Sequence, residues 1–340
     1  MTIIFDNAQP WRQQYISNTV QDGDITGWTT ASPLPSFGLK YSQAVVTKNR
    51  VYLLGGVTTP IVSIVYTAPI NQDGTLGAWG SATSLPGAIC GSQAILTRNR
   101  IYLLGGSTGS SVSTVYTAPL NTDGTIGTWA TGVSLPEGVS NSQAIFTKNR
   151  VYLIGGFYSV TATYTAPINE DGTLGTWATG PSLPSNVSLS QAIVTKNRVY
   201  MLGGWNGSWH ISTVYTSVID SEGILGAWST GTSLPAPTSH AQAVVVNKRA
   251  YLLGGDSSSV VRMAPVNTDG TLGTWVSGTS LPGNCADSQV IITSSRIYLL
   301  GPSTTVYTAP FSGGANNYMD ASWYEEAFWT NYHGQSEIIA

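Results

Sequence analysis

One segment recurs six times in this chain and dictates its architecture. It reads SQAVVTKNRVYLLGG at 42–56, SQAILTRNRIYLLGG at 92–106 and SQAIFTKNRVYLIGG at 142–156. It returns as SQAIVTKNRVYMLGG at 190–204, AQAVVVNKRAYLLGG at 241–255 and SQVIITSSRIYLLGP at 288–302. Its glutamines, at 43, 93, 143, 191, 242 and 289, stand 47–51 residues apart. After each copy come a VYTAPI-like run, an Asn-x-Asp-Gly turn or its relative, a Trp and then SLP. A fixed period of this length is the mark of a repeat architecture, in which neighbouring units bury one another's apolar faces.

Each unit predicts four strands. The SQA run and the RVYLLGG run are two strands joined at Lys-Asn. The VYTAPI run is the third, and the segment around the Trp is the fourth. Asp-Gly between β-prone runs predicts a hairpin, because glycine enters positive φ without strain. Helical periodicity is absent from the repeats. Four antiparallel strands per unit predict the blade of a β-propeller.

Seven of the eleven tryptophans, at 28, 79, 129, 177, 228, 275 and 323, recur with the period and predict seven blades, and 340 residues divide by seven into that period. On that count the whole chain, 1–340, is one all-β domain, a seven-bladed propeller of four-stranded blades. Its closing blade takes three strands from residues 1–30 and one from the C-terminal GQSEIIA, 334–340. Pairing the termini leaves no open sheet edge.

Charge sorts by face. Only 9% of residues are Asp, Glu, Lys or Arg, where an ordinary globular protein has about 25%. The first turn of each unit carries a basic pair such as Lys48 and Arg50. The third-to-fourth turns carry acids, among them Asp73, Asp123, Asp171 and Asp269. Both sets belong to one face. A net charge of −3 argues against nucleic acid and anionic membranes as partners. No apolar run has the ~18–20 residues of a membrane helix. The N-terminal MTIIFDNAQPWRQ lacks the basic and apolar regions of a secretory leader. Cys90 and Cys285 are too few for a disulfide framework.

The opposite face carries what differs between units. Tyr41, Asn141, His240 and Asp287 are expected to ring the channel mouth. Phe157, Tyr158, Trp205, Trp209 and His210 are expected on adjacent blades, with Asp256 in a neighbouring loop. Aromatic faces with amides, hydroxyls and carboxylates suit a carbohydrate, and equally a protein surface. Catalytic chemistry is not expected. The three histidines, His210, His240 and His333, fall in different blades, so no metal centre and no cofactor is predicted. Glu137, Asp256 and Asp287 do not all neighbour one another, which disfavours paired-carboxylate hydrolysis. The glutamine of each SQA run is expected to bond between blades, because a buried amide must be satisfied. Residues 312–334 break the repeat. Tyr318, Trp323, Tyr324, Phe328, Trp329 and Tyr332 there are expected to cover the closing blade or to dock a neighbouring subunit.

The Gly-Gly, Tyr and Trp order of every unit resembles the kelch repeat family of β-propellers over essentially the whole chain. The composition, poor in Lys and rich in Thr, Ser, Gly and Asn, resembles that of bacteriophage fibres and virion appendages. That second resemblance implies a structural or binding protein on a virion (neck, tail or capsid decoration), assembled in the host cytoplasm. It would contact other virion proteins or the host surface, possible homo-oligomers included. A carbohydrate-binding propeller outside any virion is the alternative, and a glycosidase or lyase a more distant one.

Overall fold

A computed structural model describes residues 25, 27–35, 39–157, 161–246, 248–256 and 258–310. Among them six four-stranded antiparallel sheets stand around one axis. Blade 1 is Gln43–Val46, Arg50–Val57, Ile61–Pro69 and Gly80–Ser81, from the innermost strand outward. Blades 2 to 5 repeat this order, with innermost strands Gln93–Leu96, Gln143–Phe146, Gln191–Val194 and Gln242–Val246. Blade 6 has Gln289–Ile292, Arg296–Leu300 and Val306–Pro310, and its outermost strand is Thr29–Ala31.

The propeller therefore has six blades, not seven, and the seam is the reverse of the expected one. Three strands come from the C-terminal side and one from the N-terminal side. Thr29 pairs with Thr308, Thr30 with Tyr307 and Ala31 with Val306. Trp28 precedes that strand and packs on the core shared by blades 6 and 1, so it serves the sixth unit. The described ring leaves no place for a seventh blade. Blades 6 and 1 meet directly, with Val290 and Leu299 in one core cluster with Ala44 and Leu53. Counting tryptophans failed because the series includes Trp323, which lies outside the described residues. Residues 1–24, the C-terminal GQSEIIA and the aromatic segment 312–334 lie outside the described residues, as does Tyr158.

Each blade is buried on both faces. In blade 1, Val45, Tyr52 and Leu54 pack with Leu96 and Leu103 of blade 2. The alternating residues Ala44, Val46, Val51 and Leu53 pack toward blade 6. Two-sided burial turns an alternating pattern into near-continuous apolar runs, and it explains why so few charges fit the chain.

Two sets of polar contacts bind blade to blade. Every glutamine side chain accepts from the next blade: Ala94 N donates to Gln43 Oε1 at 3.3 Å, Ala144 N to Gln93 at 3.2 Å and Ala192 N to Gln143 at 3.2 Å. Ala243 N donates to Gln191, Val290 N to Gln242, and Ala44 N to Gln289, closing the circle. Each Nε2 donates to the preceding residue's carbonyl, as Gln143 does to Ser142 at 2.9 Å. Toward the outside, the Tyr of the second strand in blades 1 to 4 and 6 clasps the acidic turn of the next blade. Tyr52 Oη and Thr47 Oγ1 both donate to the Gly124 carbonyl, at 3.3 and 2.9 Å. Tyr298 does the same to Gly74 across the seam and accepts from Leu76 N at 3.2 Å. Glycine is required at position 124: its φ is +79° and a Cβ there would strike the Asn49 amide oxygen.

The basic and acidic turns thus share one face, the acidic turns of blades 1 to 5 each resting on the basic turn of the blade before it. Asp73, Asp123, Asp171 and Asp269 each accept from the backbone N and hydroxyl of the Thr two residues on. These bonds hold all four carboxyls below their ordinary value, with a smaller contribution from an arginine such as Arg50 near Asp123.

Candidate functional site at the channel mouth

The opposite end of the channel is built from one backbone position per blade. Two residues before each glutamine stand Tyr41, Gly91, Asn141, Leu189, His240 and Asp287. All six are left-handed, with φ between 52° and 60°. Only glycine enters that region freely, and asparagine and aspartate are next in tolerance. Backbone bonds link these residues from blade to blade. Gly91 N donates to Tyr41 O at 2.8 Å, Asn141 N to Gly91 O at 2.7 Å and Leu189 N to Asn141 O at 3.2 Å. His240 N donates to Leu189 O at 3.1 Å and Asp287 N to His240 O at 3.2 Å. These six positions, five of them carrying side chains, are thereby brought together around the mouth, where Tyr41, Asn141, His240 and Asp287 were expected.

A second layer is added by the residue after each Gly-Gly. It bonds the residue before the left-handed position, as Trp205 N does to Ser188 O at 2.8 Å and Asp256 N to Ser239 O at 3.1 Å. Phe157 holds the same place in blade 3, bonded to Ser140 O at 2.8 Å. The Gly-Gly itself grips the next blade: Gly204 N donates to Thr238 O at 2.8 Å. Ser239 and His240 of blade 5 are therefore pressed against the root of the long hairpin of blade 4. That hairpin joins Arg198–Trp205 to His210–Val218 and pairs Trp205 with His210. Trp209 caps its tip with 75% of its surface exposed.

His210 and His240, predicted to be apart, converge. Their ring centres are 6.3 Å apart, and the Trp205 ring meets His210 edge-on at 5.0 Å. Ser239 Oγ lies between them, 2.7 Å from His210 Nδ1 and 2.6 Å from His240 Nδ1, and donates to Asp256 Oδ1 at 2.6 Å. Asp256 Oδ2 accepts from Ser239 N at 2.6 Å. Asp256 Oδ1 is also 3.1 Å from His210 Nδ1 and 3.7 Å from His240 Nδ1. Asp287 approaches the other side of the same imidazole, with Oδ1 3.8 Å from His240 Nε2. Tyr41 leans on His240 at 6.3 Å between ring centres. His240 thus sits between two carboxylates from different blades.

Ser239 was not singled out by its sequence. Aligning the units on their glutamines would have placed it in one column with Ser140 and Ser188. Blades 2 and 3 make the equivalent contact as Ser111 Oγ to Ser140 Oγ at 2.7 Å. Blades 4 and 5 replace the first serine by His210 and add Asp256.

Burial dominates the electrostatics. It raises the Asp287 carboxyl, against the lowering charges of His240 and Lys40. It raises the Tyr41 phenol, and Asp287 raises it further. Burial lowers Arg262 of blade 5, against the opposing charge of Asp256. Cys285 is pushed up to about 11 by burial and is no thiolate at neutral pH. Glu137, weighed above as an acid, accepts from Tyr164 Oη at 3.1 Å in blade 3.

No family model matches the sequence, and no curated protein matches it. Among solved structures, one titled "Structure of YjhT" superposes with a TM-score of 0.64 at 11% identity, covering 81% of this chain and 95% of that one. The likeness concerns the fold: the chain is a β-propeller structurally similar to YjhT, a kelch-repeat propeller protein.

Proposed function

We propose that this propeller is a non-enzymatic binding module, and that its ligand is a glycan held at the channel mouth. The observation that carries this reading is the exposed Trp209 at the tip of the blade 4 hairpin, beside a group of carboxylates, imidazoles and hydroxyls. An aromatic face stacks on the C–H face of a sugar while polar groups read its hydroxyls. The serine argues against nucleophilic chemistry. Ser239 is only 1% exposed, and its proton is committed to Asp256.

A glycan array with the wild type and the Trp209→Ala and Trp205→Ala variants tests the reading. Binding that disappears in Trp209→Ala supports it. A blank array with the wild type, or a signal indifferent to both substitutions, overturns it. The placement of such a module on a bacteriophage virion rests on composition, and immuno-electron microscopy of the source particle tests it.

A further inference from the structure

We propose that His210, His240 and Asp256 form a binding site for a divalent transition-metal ion of the zinc type. One donor atom from each lies within 4.8 Å of the others. The two measured edges from Asp256 Oδ1, 3.1 Å and 3.7 Å, bracket the separation of ligands around a tetrahedral ion with bonds of about 2.0–2.2 Å. Two imidazoles and one carboxylate suit zinc, iron, copper or nickel, and not the hard cations that take oxygen alone. Three protein ligands leave a fourth position open. The His210 side chain is 43% exposed, so the cluster can be reached from solvent.

The surroundings match what an ion requires of them. Ser239 Oγ lies 2.6–2.7 Å from all three atoms, to one side of their plane. A hydroxyl has one proton. With that proton on Asp256, the two histidine contacts need Nδ1–H on both rings. An ion bound to the three atoms from the other side of their plane breaks the two histidine contacts to Oγ, and each neutral ring, ligating through Nδ1, then carries its proton on Nε2. For His240 that nitrogen faces Asp287 at 3.8 Å. A carboxylate on the far nitrogen of a ligating histidine fixes the ring and raises its basicity. His210 is held by the edge contact with Trp205. The three donors come from three segments pinned by the inter-blade bonds described above, so the triangle is formed before any ion arrives.

This inference deepens the binding reading, since the cluster lies at the same mouth, but its test needs no glycan. The full-length protein, stripped with chelator, is titrated with Zn²⁺ by calorimetry and with Co²⁺ by visible absorption. One ion per chain and the absorption bands of a tetrahedral Co²⁺ centre are expected. His210→Ala and Asp256→Ala should abolish both signals, and Asp287→Asn should weaken Zn²⁺ binding about 10–100-fold. His333→Ala should leave it unchanged. Should Asp256→Ala fail to fold, His210→Ala, on an exposed hairpin, still decides. No one-to-one uptake by the wild type overturns the proposal, as does uptake unaltered in His210→Ala. If Zn²⁺ binds and the glycan array stays blank, the site stands and the glycan reading falls. The reverse result removes the ion and leaves the glycan.

Discussion

Two circles of six residues surround the channel, two positions apart in sequence. One is uniform: Gln43, Gln93, Gln143, Gln191, Gln242 and Gln289. The other is mixed: Tyr41, Gly91, Asn141, Leu189, His240 and Asp287. The first closes fully through inter-blade hydrogen bonds; the second is linked in the same way from Tyr41 round to Asp287, but with different atoms. The glutamines use their side chains. The mixed set uses only its backbone. A position that contributes its side chain to closure has no freedom of residue type. A position that contributes only N–H and C=O leaves its side chain to chemistry. The left-handed backbone is the cost of that freedom, and the burial of the glutamines is the reason for their uniformity.

The sharpest way to break this comparison is Gln143→Leu. It deprives the buried Ala192 N–H of its acceptor and the Ser142 carbonyl of its donor. A buried polar group left unpaired costs about 1–3 kcal/mol, read as a lower midpoint in denaturant. If Gln143→Leu is neutral, the uniform circle is not what closes the fold. A smaller effect of opposite sign is expected in the other circle. Leu189→Gly relieves a non-glycine residue at φ 52°, worth about 1–2 kcal/mol. Part of this is returned through the greater freedom of glycine in the unfolded chain. A modest net gain in stability should be measured, and a loss would mean that Leu189 contributes packing.

The smallest effect separates the circles by pH. Burial raises the Asp287 carboxyl above its ordinary value near 3.8. Between that raised value and 3.8 the folded state binds the more protons, so stability rises as pH falls through the window and levels off below it. Asp287→Asn should therefore be more stable than the wild type above the window and lose that advantage by its acid end. The effect of Gln143→Leu should not vary with pH over the same range. Thermal melts of the three proteins across the acid range test this, and a pH-independent Asp287→Asn difference would count against it.

The blades were legible because burial on both faces leaves apolar runs and turn signals at every period. Their number was not. It depends on the pairing of Thr29–Ala31 with Val306–Pro310, a register between opposite ends of the chain that no local pattern announces. Trp28 looked like one member of a series of seven, whereas its strand completes blade 6. At the mouth, Tyr41, His240 and Asp287 were legible as residues that change at a fixed offset from glutamine. Their left-handed backbone was not read, although Gly91 and Asn141 in the same column are the residue types that tolerate it. The meeting of His210 with His240 was missed because it depends on how the blade 4 hairpin is gripped by Thr238 of blade 5. Sequence distance, 30 residues between the two histidines, says nothing of that grip.

The seam of blade 6 has a mechanical consequence. Thr29–Ala31 is antiparallel to Val306–Pro310, so the incoming end of the first strand lies beside the outgoing end of the second. A pull on residues 29 and 310 in opposite directions loads the Thr29–Thr308 pair alone before it reaches Thr30–Tyr307 and Ala31–Val306. The ring would open like a zipper, one rung at a time, and not by sliding three rungs together. In the other five blades both ends of the outermost strand continue into the ring, so tension applied at residues 29 and 310 is borne by the three rungs of this seam.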